Sequence, residues 1–160
     1  MLVCLEINEQ QFIINKTQLK FKLMKRNGTA VWNGSGKEGK GHLSTQSSVL
    51  KQTQYSYSSR FENGIGTNPE ELIAAAHAGC FTMKLSFVLG EAGFVPETLE
   101  TTSFVNLENG TITESHLVLK ATVKGISKDA FDAAVKEAEL NCPVSMALKI
   151  KISVESTLIA

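Results

Sequence analysis

Two cysteines and one arginine are the residues of this chain best suited to chemistry. Cys80 lies within NPEELIAAAHAGCFTMKLSFVLGEAG, residues 68–93, and Cys142 within NCPVSMALK, residues 141–149. A thiolate can attack an O–O bond and become a sulfenic acid, which a second thiol closes to a disulfide. A cysteine deep in one element and another at a break in structure could form such a pair. Cys142 precedes Pro143, which suits the first turn of a restarted helix, and peptide dipoles there lower a thiol pKa. Cys80 can also be read blandly, as a small buried hydrophobe. His77 stands three residues before Cys80 on the same helix face. It could deprotonate Cys80 for acyl transfer, in a Cys–His thiol hydrolase, or be a core histidine held by a hydrogen bond. Arg60 is the only arginine besides Arg26, against fourteen lysines. Its planar fork does what lysine cannot, although a solvated loop charge is the plain alternative.

The element that must hold Cys80 is legible in the same stretch. Asn68 can cap, Pro69 suits the first helical position, and Glu70 and Glu71 complement the helix dipole. From Leu72 to Leu89 the only charged residue is Lys84, and apolar or small residues fall on every face. A helix of that kind is expected to be buried, and His77, Thr82, Lys84 and Ser86 make it a poor membrane span. Before it, Thr29 to Trp32, His42 to Val49 and Gln52 to Tyr57 read as antiparallel strands, and residues 58–67 as a loop. After it, Leu99 to Leu107 and Ile112 to Val123 alternate around Asn109-Gly110, a hairpin signal. Ser127 caps a helix from Lys128 to about Leu140 with Phe131, Ala134, Val135 and Ala138 on one stripe. Ile150 to Leu158 closes the chain as a strand. The grouping predicts an α+β domain of antiparallel sheets around a central helix, rather than a parallel βαβ sheet.

Length and charge narrow the class. The 160 residues fit one domain, and sixteen basic against sixteen acidic residues leave no footprint for nucleic acid or an anionic membrane. Cys4, Cys80 and Cys142 are too few for a disulfide framework, and no C-x-x-C pair suggests zinc. MLVCLEINEQ lacks the marks of a signal peptide, so a cytoplasmic protein is expected, where paired thiols are more often catalytic than structural. Residues 1–23 differ in character from the rest of the chain, and Phe12 to Ile14 with Leu19, Phe21 and Leu23 could add an edge strand. Equally, a new start at Met24 would give MKRNGTAVWNG, a self-sufficient opening to a single domain expected over 24–160.

Several separate segments in order carry a resemblance: GTAVWNG, GKGHLSTQSSVL, SSRFENGIGTNPEE, HAGCFTM, LGEAGF and NCPVSMALK. Together they resemble the osmotically inducible protein C (OsmC) family, within the OsmC/Ohr superfamily of thiol peroxidases that serve oxidative and osmotic stress defence. The resemblance implies an OsmC-like fold, an intertwined homodimer with composite active sites, and reduction of organic hydroperoxides. It implies Cys80 as peroxidatic and Cys142 as resolving cysteine, Arg60 as the residue that holds the thiolate, and Glu70 as the carboxylate that orients Arg60. It further implies no metal or bound cofactor, and an external thiol reductant such as a dihydrolipoyl protein. Ile73 and Phe81 are expected to wall the alkyl part of the peroxide, and His77 to stand behind the site. Glu70 and Cys80 are ten residues apart, roughly 15 Å along one helix. An arginine gripping Glu70 would therefore reach Cys80 from another subunit. A redox sensor or lipid-binding stress protein on the same scaffold is the non-enzymatic alternative.

Overall fold

The computed structural model describes residues 23–159. The Thr- and Tyr-rich text after Gly28 forms β1 (Gly28–Asn33), β2 (Lys40–Thr45) and β3 (Thr53–Ser56), an antiparallel sheet in that order. Gly41 on β2 is paired with Trp32 on one side and Tyr55 on the other. The two rings meet at 5.1 Å between centroids. A Cβ on Gly41 would stand 2.5 Å from the Val31 carbonyl oxygen and 2.7 Å from the Trp32 ring, so only glycine fits.

The segment read as a loop begins instead as a helix, α1 (Tyr57–Phe61). Its cause is a capping box: the Ser59 N–H donates to Ser56 Oγ at 3.1 Å, and the Ser56 N–H donates to Ser59 Oγ at 2.9 Å. The Ser59 hydroxyl also donates to the Thr67 carbonyl, and Asn68 Nδ2 to the Ser59 carbonyl, tying α1 to the next helix. That helix, α2 (Pro69–Glu91), starts as the sequence predicts, with Asn68 Oδ1 accepting from the Glu71 N–H at 2.8 Å. Gly93, with φ +85°, follows its end in the left-handed conformation that stops helices.

The second sheet comprises β4 (Thr98–Glu108), β5 (Thr111–Thr122) and β6 (Lys151–Ile159). Asn109 and Gly110 both have positive φ, as a two-residue primed turn requires. Between β5 and β6 run α3 (Lys128–Asn141) and α4 (Pro143–Ala147). β6 lies parallel to β5, with Leu117 opposite Val154. This corrects the expectation of antiparallel pairing throughout. The two helices carry the chain back along the sheet to the end where β5 began, which a hairpin could not do.

The core lies between this sheet, α2 and α3. Phe81, Leu85 and Leu89 of α2 meet Leu117 and Leu119 of β5 and Phe131 of α3, all fully buried. Each such side chain is worth about 1.5–3 kcal/mol when removed from water. The opposite side of α2 departs from the expected all-round burial. In the single chain Met83 and Phe87 are 63% and 62% exposed, beside exposed Ala75, Ala76 and Gly79. By length and composition α2 could cross a membrane, but its other side packs on protein. The first sheet buries no large apolar side chain: Val31 is 38% exposed, and Trp32, Leu43 and Tyr55 are half-buried. The suggested N-terminal edge strand lies outside the described residues, save for Leu23, which is exposed.

Gly41→Ala should lower unfolding stability by about 1–3 kcal/mol, because the added methyl must displace backbone or ring. Urea unfolding followed by the fluorescence of Trp32 measures this. An unchanged midpoint would contradict the packing described.

Candidate active site

α2 and the crossover bring the two predicted cysteines together. Cys80, half-buried on α2, and Cys142, wholly buried at the N-cap of α4, have their sulfurs 3.1 Å apart and unbonded. A disulfide needs about 2.05 Å, so closure takes an approach of about 1 Å. Pro143 occupies the first position of α4, as the sequence suggests, which leaves Cys142 as the capping residue.

The thiols differ in acidity. Burial pushes Cys80 up, and the neighbouring Cys142 adds to this more than the Val144 N–H relieves it. Cys142 is also pushed up by burial. The Ser145 N–H, the Cys80 thiol, the Ser145 hydroxyl and the Val144 N–H together outweigh that and bring it below the ordinary value. Cys80 thus stands above and Cys142 below the ordinary thiol value, and among the described residues no cation is one of the groups that set the acidity of Cys80.

Arg60 and Glu70 meet as expected. Arg60 Nη2 donates to Glu70 Oε1 at 2.6 Å, and Nε donates to both oxygens at 3.1 and 3.2 Å. Partial burial pushes the Glu70 carboxyl up, but the Arg60 hydrogen bonds, a backbone N–H and the arginine charge bring it below the usual carboxylate range. The same hydrogen bonds keep Arg60 firmly cationic. This fork is at the start of α2, and Cys80 is about three turns further on. The chain thus builds the clamp and the sulfur pair as two separate halves.

His77 is completely buried and does not bond Cys80. Its Nδ1 lies 2.7 Å from Ser115 Oγ and its Nε2 2.8 Å from Ser145 Oγ. Both ring nitrogens are occupied, so a Cys80–His77 hydrolase dyad has no geometry here. Burial lowers the His77 pKa, and the ring is neutral at pH 7. Phe81 is also displaced from its expected role. It is fully buried in the core and props α2 rather than lining a wall open to substrate, whereas Ile73 is half-buried. Sequence reasoning missed Ser115 and Ser145. The signal for Ser115 was available: it continues the inward face of Leu117, Leu119 and Ala121, where a hydroxyl needs a buried partner.

Residues 61–157 match the family model described as OsmC-like protein. The chain is 46% identical to Peroxiredoxin OsmC of Escherichia coli (strain K12) over 134 residues, 81% of this chain and 94% of that protein. The chain belongs to the OsmC family. Its fold is that of an OsmC-like protein from Mycoplasma pneumoniae, with a TM-score of 0.69 at 15% identity, covering 86% of this chain and 99% of that one. An organic hydroperoxide resistance protein from Elizabethkingia anophelis is similar at 26% identity, with a TM-score of 0.61, covering 86% and 97%.

Because His77 has a lowered pKa in the folded chain, the unfolded state binds the extra proton more readily as pH falls. The stability His77 contributes is present above its unfolded pKa of about 6.5 and is lost as pH falls through its lower folded value. Urea unfolding should thus give a lower midpoint at about pH 5 than at about pH 8, and His77→Gln should flatten the part of that fall due to this ring. A slope identical in both proteins would contradict a buried, neutral His77.

Proposed function

We propose that this OsmC-family protein is a two-cysteine thiol peroxidase that reduces organic hydroperoxides to alcohols in oxidative and osmotic stress defence. The observation that carries the reading is the 3.1 Å approach of Cys80 and Cys142 in a chain that also builds a guanidinium–carboxylate clamp. The Cys80 thiolate attacks the distal peroxide oxygen and becomes Cys80–S–OH. The alkoxide leaves and takes up a proton. Cys142 displaces hydroxide from the sulfenic acid, giving a disulfide and water. Two electrons from an external dithiol, of which a dihydrolipoyl protein is one kind, reopen the bond; neither metal nor bound cofactor enters the scheme. The reaction suits the cytoplasm, where thiols are kept reduced. The name of the Elizabethkingia relative supports an organic hydroperoxide as substrate.

The active unit is a homodimer with composite sites. Three features support it. A three-stranded sheet without a buried apolar face is marginal on its own, and β1–β3 has none in the single chain. α2 leaves a stripe of Ala76, Gly79, Met83 and Phe87 open to a partner. Burial raises the pKa of Cys80, and a guanidinium within about 4–6 Å would lower it by one or more units. Arg60, held by Glu70 beside the first sheet, is carried over to the Cys80 of a second copy. A non-enzymatic redox sensor lacks the support of the ready partner thiol and the clamp.

After one equivalent of cumene hydroperoxide, the intact chain should lose two hydrogens, as two protons and the two electrons passed to the peroxide, and gain no oxygen by mass spectrometry. Cys80→Ser should abolish peroxide consumption. Cys142→Ser should retain one added oxygen and stall unless small thiols are supplied. Retention of turnover in Cys80→Ser would end the proposal.

Mixing Cys80→Ser with Arg60→Ala chains should restore peroxidase activity, since each heterodimer holds one complete site. No activity beyond the parents would place Arg60 and Cys80 in the same chain.

A further inference from the structure

The two sulfurs of the pair differ in what can reach them. Cys142 is wholly buried, in the same interior as Phe131 and Ala138 of α3 and Phe81 of α2. Cys80 packs against that interior and is itself only half-buried. Closing the bond brings the sulfurs together by about 1 Å, too little to draw Cys142 out of the core. The difference in burial therefore carries over from the reduced chain to the disulfide.

Burial of this kind decides how the bond is reopened. In thiol–disulfide exchange a thiolate attacks one sulfur while the other leaves, so the course depends on which sulfur can be approached. An attack on Cys142 would have to come through the side chains of the core. An attack on Cys80 comes by the way that peroxide must also enter. A second copy of the chain can cover surface, but it cannot uncover Cys142. Any assembly that admits a peroxide to Cys80 leaves that sulfur open to a slender thiol.

We propose, resting on the two-cysteine reading, that Cys80 is the sulfur attacked by the external reductant, and that Cys142 exchanges only with Cys80. The first thiolate of a dithiol bonds to Cys80 Sγ; the Cys80–Cys142 bond breaks, and its electron pair leaves on Cys142, which takes up a proton. The second thiolate of the dithiol then attacks its own first sulfur in the mixed disulfide. Cys80 leaves as thiolate, and the reductant closes its own disulfide. In sum the dithiol loses two hydrogens and the cysteine pair gains them. Cys142 is thus the nucleophile when the bond closes and the leaving group when it opens. Both roles need only the sulfur 3.1 Å away and no opening to solvent. Acidity within one chain points the same way: Cys142 stands below and Cys80 above the ordinary thiol value, and the more acidic thiol leaves faster.

The test maps the mixed disulfide. The full chain with Cys4→Ser, so that only the pair reports, is oxidised with one equivalent of cumene hydroperoxide, desalted and mixed with mercaptoethanol. Samples are quenched into acid, denaturant and N-ethylmaleimide, and peptide mass spectrometry locates both labels. Mercaptoethanol should sit on Cys80 and maleimide on Cys142, with the reverse pattern at least about tenfold rarer, because a wholly buried sulfur is reached only through local opening. In urea above the unfolding midpoint the bias should shrink towards none, since both sulfurs are then open. Should internal recapture leave the adduct too scarce to map, single-cysteine chains decide. Dithiodipyridine should modify Cys80 in the native Cys142→Ser chain faster than Cys142 in the native Cys80→Ser chain. An adduct mainly on Cys142, equal adducts on both, a bias of unchanged size after unfolding, or faster modification of Cys142 would each overturn the proposal. A native chain that forms no disulfide under peroxide would instead overturn the two-cysteine reading.

Discussion

Phe81, Leu85 and Leu89 hold one side of the long helix against β5 and α3, and the geometry of the sulfur pair depends on that contact. Cys80 is next to Phe81 in sequence, so the depth to which the phenyl ring is buried sets where the thiol stands. Cys142 comes directly after α3, whose Phe131 and Ala138 are buried in the same core. The two sulfurs approach because the helices carrying them share one apolar interior. A small shift of that packing would separate them by more than the ångström that bond closure needs.

The second constraint is electrostatic. Removing a thiol from water disfavours its ionised form, and Cys80 is raised accordingly. Arg60, on α1, is held by three hydrogen bonds to Glu70 at the start of α2, about three turns before Cys80.

Much of this arrangement was legible in residues alone. Asn68-Pro69, Asn109-Gly110, Ser127 and Pro143 each state a local rule, and each sits where that rule puts it. Inward-facing Leu117, Leu119 and Ala121 could be read by alternation. What failed to show is non-local. Whether β6 runs with or against β5 depends on where the crossover helices end, which no window of sequence contains. The α1 turn was hidden because serines at positions 56 and 59 look like loop text until their hydroxyls are seen to cap each other. Phe81 was misplaced because a helix apolar on every face gives no clue to which side meets the sheet. The Arg60–Glu70 fork was legible only through the family resemblance, while the serines that flank His77 come from strands and a helix far apart in the chain.

The parallel pairing of β5 with β6 has a consequence for the order of folding. Hairpin contacts such as those between β4 and β5 can form early, because the segments are neighbours in the chain. The crossover must close a long loop before it gains anything, so it is expected among the late events. Cys142 rides on that loop. A chain still on its way to the native state therefore keeps its reactive sulfurs far apart, and redox competence arrives only with the finished topology.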